Sequence, residues 1–272
     1  MNLLPVGLLQ IPVTPDRDQN LRTALDAVHT AASMGAALCV LPEMWRCPYD
    51  AALFREYAES EEGALCRALA AAAAREGVYL VAGSVPELCG GRVYNTAFVY
   101  APDGTRVARH RKAHLFDVDV PGGIRFRESE TLSAGDAVTV FDTPWGKIGL
   151  CICFDLRFPE LVRTMALSGA RAILVPAAFN MTTGPAHWEL LFRARALDNQ
   201  VYTFGVAPAR DRNASYVSYA HSIAVDPWGT VLCDLGEREG IQVVTLDASR
   251  VDAVRKALPL LSARRPELYG IE

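Results

Sequence analysis

The chain has 272 residues, 51% of them hydrophobic, and a formal net charge of −4; it can bury a large core and offers no basic stripe for nucleic acid. No stretch approaches the roughly 20 apolar residues of a membrane span, and Met1-Asn2-Leu3-Leu4-Pro5 lacks the basic start and long apolar core of a signal peptide, so a cytoplasmic protein is expected. The seven cysteines are odd in number and lack metal-finger pairing, which points to reduced thiols.

Residues 5–12 read as a strand, and Gln19 to Gly35 as an amphipathic helix with Leu21, Leu25, Val28 and Ala32 on one face. Strand 37–41 then delivers Glu43. Glu61 to Gly77 is Ala-rich and helical, ending at a glycine suited to the position after a helix. Strands near 78–85, 92–100 and 105–111 follow, the last leading to Lys112. The stretch 113–136, with Pro121-Gly122-Gly123, lacks periodicity; segments that long usually cover a site or are disordered, and it is expected to be a lid carrying Glu128. Thr139 to Ile152 has apolar and β-branched residues at strand density and reads as one buried strand, while Pro159 suits the first position of a helix running to Gly169. Cys153 to Phe158 must then turn at the sheet edge, where ligands of α/β proteins usually sit. Strand 171–177, helix Ala186 to Gln200, strand Val201 to Ala207, a hairpin turning at Asp226-Pro227-Trp228-Gly229, strand 241–246 and helix Arg250 to Leu261 complete the alternation. No linker, repeat or composition break divides it, so a single α/β domain over 1–272 is expected.

Cys153 alone reads as an inert buried thiol, the common fate of free cysteine. Glu43 and Lys112 alone read as solvated charges at strand ends. Together the three form a chemical set at strand mouths: a carboxylate to take the thiol proton, an ammonium to hold oxyanion charge, and a nucleophile. His110-x-x-x-His114 has helical metal-ligand spacing but sits on an extended run without an HExxH pattern, so no metal site is expected there. His187 and His221 read as structural hydrogen-bonders or pocket walls. The absence of GxSxG, GxxxxGK[ST] and GxGxxG motifs argues against serine hydrolase, nucleotidase and dehydrogenase chemistry.

At these residues the chain resembles the nitrilase superfamily of carbon–nitrogen hydrolases, whose Glu-Lys-Cys triad matches Glu43, Lys112 and Cys153 in order, spacing and flanks; the resemblance runs from about Leu3 to Tyr269. His114 to Gly122, Phe126 to Leu132 and Phe179 to Glu189 are similar to the omega-amidase branch, whereas Ser222 to Thr230 and Arg264 to Gly270 suit the deaminated-glutathione branch equally well. The resemblance implies an αββα sandwich that dimerises through its helices into a longer αββα-αββα sandwich. It also implies a cysteine-dependent amidase, without cofactor or metal, cleaving small amides such as 2-oxoglutaramate and 2-oxosuccinamate through a thioester. Deaminated-glutathione amidase and N-carbamoyl hydrolase are the alternatives within the superfamily, and a catalytically idle interaction module is the alternative outside enzymes. The complete triad speaks against the last.

Within that scheme Glu43 is the proton carrier, and Lys112 with the Phe154 N–H forms the oxyanion hole; the family commonly has Tyr at position 154, which touches only a side-chain contact. Glu128 reads as a surface charge from the residues alone, and by resemblance as the second glutamate that orients Lys112 and the substrate. Phe179, Asn180, Thr182 and Thr183 line the pocket by resemblance, though a threonine that merely caps a helix is the plainer reading. A carboxylate at the far end of the substrate would need a cation or several donors, for which Tyr49, Arg157, Thr182 and Thr183 are the candidates.

Overall fold

The computed structural model describes residues 3–270, so Met1 and Asn2 of the opening segment lie outside the described residues. In chain order come β1 (Leu3–Gln10), α1 (Arg17–Ser33), β2 (Leu38–Val40), α2 (Phe54–Tyr57), α3 (Ala64–Glu76), β3 (Tyr79–Val81), β4 (Val85–Cys89), β5 (Arg92–Tyr100) and β6 (Arg106–Arg111). Next are β7 (Asp117–Asp119), β8 (Arg125–Arg127), β9 (Thr139–Thr143), β10 (Gly146–Leu150), α4 (Pro159–Leu167), β11 (Ala170–Pro176), α5 (Gly184–Asn199) and β12 (Tyr202–Val206). The chain closes with β13 (Ile223–Val225), β14 (Val231–Asp234), β15 (Gly240–Asp247) and α6 (Ala248–Ala257).

The strands form two large sheets and one small one. The first runs β15-β1-β2-β3-β5-β4 with β6 also on β5, the second β14-β13-β12-β11-β10-β9, and β7 pairs only with β8. Leu4, Val6 and Leu8 of β1 enter one core with Leu150, Leu174 and Phe204 of the second sheet, so the two sheets lie face to face. The outer face of the first sheet, with Leu9, Cys39, Leu80 and Phe98, packs on Val28 of α1 and Leu69 of α3. Val162 and Met165 of α4, with Trp188 and Phe192 of α5, belong to the core of the second sheet. The result is αββα. Burial on both faces explains why the central strands read as continuous apolar runs rather than alternating ones.

Helix α1 buries Ala24, Ala27, Val28 and Ala31, while Leu21, Leu25 and Ala32 are only partly covered. The stripe shifts toward small residues because the helix sits close to the sheet, where a Cβ on Gly7 would lie 3.1 Å from that of Ala31. The expected single strand over 139–152 is instead the hairpin β9–β10, with Gly146 paired to Thr143. Pro144 cannot donate to a ladder and Gly146 adopts φ +112°, so the chain reverses within the polar, partly exposed stretch Asp142 to Lys147. The expected strand 78–85 likewise stops at Val81. Gly83 has φ +59°, and a side chain there would overlap the Pro42 carbonyl, so only glycine lets this turn press against the Glu43 segment. The aperiodic stretch 113–136 contains the hairpin β7–β8 and a one-turn helix at Glu128–Glu130.

Strands β1, β2 and β3 are mutually parallel, β5 opposes β3 and β6 opposes β5. Strand β6 therefore runs in the direction of β2, and Glu43 and Lys112 emerge from the same edge of the sheet.

Candidate active site

After β10 the chain turns sharply at Cys153, which has φ +46°, and enters a one-turn helix over Cys153–Arg157. A positive φ at a side-chain-bearing residue is strained and persists only where its surroundings enforce it. Asp155 supplies that enforcement. Its Oδ2 accepts the Ile152 N–H at 3.0 Å and meets His110 Nε2 at 3.0 Å, while Oδ1 accepts the His114 N–H at 2.9 Å and meets His114 Nδ1 at 2.7 Å. Burial alone would raise the Asp155 pKa, but the bonds from His110 and His114 hold it well below the usual carboxylate range. The two histidines that flank Lys112 thus serve Asp155. The Phe154 N–H, in the first turn of this short helix, meets no backbone or side-chain acceptor among the described residues.

Lys112 is completely buried, and its ammonium lies 2.9 Å from Glu43 Oε1 and 2.9 Å from Glu128 Oε1. Burial would lower its pKa, yet Glu128 and Glu43 hold it well above the ordinary value, so Lys112 is a cation at neutral pH. Glu43 Oε1 also accepts from Asn95 Nδ2 at 2.8 Å, whereas its Oε2 has no partner. Burial raises the Glu43 pKa, Lys112 opposes this, and Glu128 adds to it. Glu128 Oε2 accepts the Phe116 N–H at 2.7 Å, and its Oε1 accepts the Tyr49 hydroxyl at 2.6 Å. The surface-charge reading of Glu128 fails, because the stretch after β8 turns this residue fully inward. Burial pushes the Cys153 thiol well above its ordinary pKa, Glu43 pushes further, and Lys112 and the Ala178 main chain oppose them. Of the two oxygens of Glu43, the free Oε2 is the one placed to exchange a proton with a neighbouring group.

Cys153, Phe154, Arg157, Phe179 and Thr183 line one narrow cleft. Ala178 and Tyr216 line both this cleft and a cavity of about 400 Å³ that reaches Glu43 and Tyr49. Arg157 forms no ion pair with a carboxylate among the described residues; it meets His187 Nδ1 at 3.0 Å and lies 4.7 Å over the Phe179 ring. Asn180 is buried, and its Oδ1 accepts the N–H groups of Thr182 and Thr183 at 2.9 and 3.0 Å, which fixes the entry to α5. Two candidates for the distal carboxylate are placed elsewhere. Tyr49 gives its hydroxyl proton to Glu128 Oε1 at 2.6 Å, with Glu43 Oε1 at 3.1 Å and Lys112 Nζ at 3.4 Å beside it, and Thr182 is exposed, with its methyl against the β7–β8 turn at Gly123.

Sequence reasoning missed Asn95, Tyr216 and Asp155. Asn95 is a polar residue inside the apolar strand β5, and Asp155 follows the nucleophile turn while histidines flank Lys112, so both left a trace. Tyr216 comes from an exposed loop after β12, yet stacks on Tyr49 at 4.5 Å and bonds the Ala178 carbonyl at 2.5 Å; nothing local marks it.

A family model described as carbon-nitrogen hydrolase matches residues 5–256. Omega-amidase NIT2-A of Xenopus laevis is 48% identical over 267 residues, covering 98% of this chain and 97% of that protein. The crystal structure of Saccharomyces cerevisiae Nit3, a member of branch 10 of the nitrilase superfamily, superposes with a TM-score of 0.90 at 40% identity and covers 97% of each chain. An amidase from Nesterenkonia sp. AN1, in a form carrying the acetamide moiety of fluoroacetamide covalently added at its active-site cysteine, has a TM-score of 0.82 at 26% identity, covering 98% of this chain and 95% of that one.

Proposed function

The chain belongs to the carbon–nitrogen hydrolase family and is an amidase of the omega-amidase branch; from that premise we propose that it cleaves the terminal amide of 2-oxoglutaramate and 2-oxosuccinamate through a thioester on Cys153. The observation that carries this reading is Lys112 held at 2.9 Å from both Glu43 and Glu128 beside a buried thiol on a strained turn.

Amide cleavage requires an activated nucleophile, a stabilised oxyanion and a protonated leaving nitrogen. Glu43 Oε2 takes the thiol proton as Cys153 Sγ attacks the carbonyl carbon. The developing oxyanion is met by the Lys112 ammonium and the unclaimed Phe154 N–H, a pair of donors fixed before the reaction begins. Glu43 returns the proton to nitrogen, the C–N bond breaks and ammonia leaves. It then takes a proton from water, which attacks the thioester carbon; the tetrahedral adduct collapses, the C–S bond breaks, and Glu43 returns that proton to Cys153 Sγ as the acid product leaves. One carboxylate serves both halves, as its raised pKa favours.

Arg157 is assigned to the distal carboxylate, because it brings to the cleft that holds Cys153 a cation without an anionic partner among the described residues. Thr183 and Phe179 shape the same cleft. Hydrolysis of 2-oxoglutaramate, deaminated glutathione and an N-carbamoyl amino acid, followed side by side as 2-oxoglutarate released from the first two and free amino acid from the third, tests the assignment, with the first expected to have the highest kcat/KM. A higher value for either of the others moves the chain to that activity. A charge-assisted contact is worth roughly 1.5 to 3 kcal/mol, so succinamic acid should exceed butyramide by about one to two decades in kcat/KM. The same reading takes the chain as one hydrolase domain over 1–272, a cytoplasmic homodimer.

A further inference from the structure

The two oxygens of Glu43 are unlike. Oε1 lies 2.9 Å from Lys112 Nζ, 2.8 Å from Asn95 Nδ2 and 3.1 Å from the Tyr49 hydroxyl, while Oε2 is buried with no hydrogen bond among the described residues and Cys153 is a neighbour of the carboxylate. Tyr49 has one hydroxyl proton, and its 2.6 Å contact with Glu128 takes it. Lys112 is shared at 2.9 Å with Glu128. Asn95 is the remaining neutral donor, wholly buried within β5, where its main-chain carbonyl accepts the Lys112 main-chain N–H at 2.9 Å. Turning its amide over would set oxygen against carboxylate oxygen, so the nitrogen must face Glu43.

We infer that Asn95 is a positioning residue for amide hydrolysis, saturating Glu43 Oε1 so that Oε2 is the oxygen left to exchange protons with Cys153 and the leaving nitrogen. Asn95 touches neither substrate nor thiol and acts through Glu43. This rests on the role of Glu43 proposed above.

The titratable groups around Glu43 are Lys112, Glu128, Cys153, Tyr49 and Tyr216. All of them survive substitution of Asn95, so a change in the acid limb of kcat/KM reports the amide alone. A donor to a carboxylate favours its charged form, and its loss raises the pKa. Asn95→Leu, nearly isosteric, is therefore expected to lower kcat about tenfold or more, hold KM within about threefold, and move the acid limb up by about one pH unit. Asn95→Asp places a second carboxyl against Glu43 and should move the limb further in the same direction. If the leucine variant does not fold, Asn95→Ala, which removes the donor and adds no titratable group, carries the test. A folded variant whose acid limb stays at the wild-type pH overturns the inference even if it is slow, since a purely structural strand residue would behave that way. Cys153→Ala, assayed alongside, separates the two readings: activity in that variant sinks the thioester reading, whereas an inactive Cys153→Ala with an unshifted Asn95 limb sinks only this inference.

Discussion

Cys153 is buried beside a carboxylate, so its chemistry is gated by proton transfer and not by a standing thiolate. Burial and Glu43 raise its pKa while Lys112 lowers it. Alkylation of Cys153 by iodoacetamide should consequently rise only on the alkaline side of the ordinary thiol range. Glu43→Gln, by removing a negative charge, should shift that profile to lower pH even as hydrolysis collapses. A profile unmoved by this substitution would mean that Glu43 does not govern the thiol. Cys153→Ala should abolish turnover and the acyl adduct seen by intact-mass spectrometry while keeping the fold, since losing a thiol at a turn leaves little cavity. Lys112→Met removes the cation between two buried carboxylates, and here two effects combine. Loss of an oxyanion donor should lower kcat by about 100-fold or more with a smaller change in KM, and the uncompensated carboxylates should cost about 3 to 5 kcal/mol of stability. A raised KM at unchanged kcat would make Lys112 a binding residue.

The turn after β10 and the end of β6 belong to different sheets, and Asp155 fastens one to the other through Ile152, His110 and His114. Its folded-state pKa is depressed, so its contribution to stability is present above the ordinary carboxylate pKa and is lost as pH falls through that range toward the folded value. Asp155→Asn should then lower Tm most near neutral pH, with the gap from wild type narrowing below about pH 4. A gap that does not change with pH would contradict the clamp. The same elements show what could be read from residues alone. The grouping of Glu43, Lys112 and Cys153 was legible because each follows a strand, apolar before Glu43 and Cys153 and basic before Lys112, and strand mouths are where an α/β sheet collects reactive groups. The hairpin β9–β10 reads as one strand because its buried flanks, Phe141 and Ile148 to Leu150, are alike, although Asp142, Pro144, Gly146 and Lys147 break the apolar run between them. Asn95 was hidden for a related reason: a polar residue in a buried strand declares that it has partners, not which ones. Tyr216 reaches Tyr49 only through tertiary packing, which no local pattern encodes.

The outer layer of the molecule leaves apolar surface unpartnered. Leu190 and Leu197, seven residues apart on α5, lie two turns apart along one side and are 65% and 44% exposed, while the other side of the helix buries Trp188, Phe192 and Ala196. Leu167 at the end of α4, and Leu258 and Leu260 after α6, are exposed as well. Single apolar residues on a surface mean little, but a helix with apolar residues on both sides has one side in the core and another suited to a second copy. Such an interface is self-complementary about a two-fold axis, and a stable one buries about 1,600 Å² in all. Light scattering at micromolar concentration is therefore expected to give a dimer or a multiple of it. Leu190→Glu with Leu197→Glu should give a monomer with an unchanged far-UV spectrum, because these side chains contribute nothing to the buried core of the chain itself. Glu43, Lys112, Glu128 and Cys153 all come from one chain, so folded monomer should still turn over amide while unfolding at a lower temperature. A wild-type monomer, or a double variant that remains dimeric, would place the interface elsewhere or remove it.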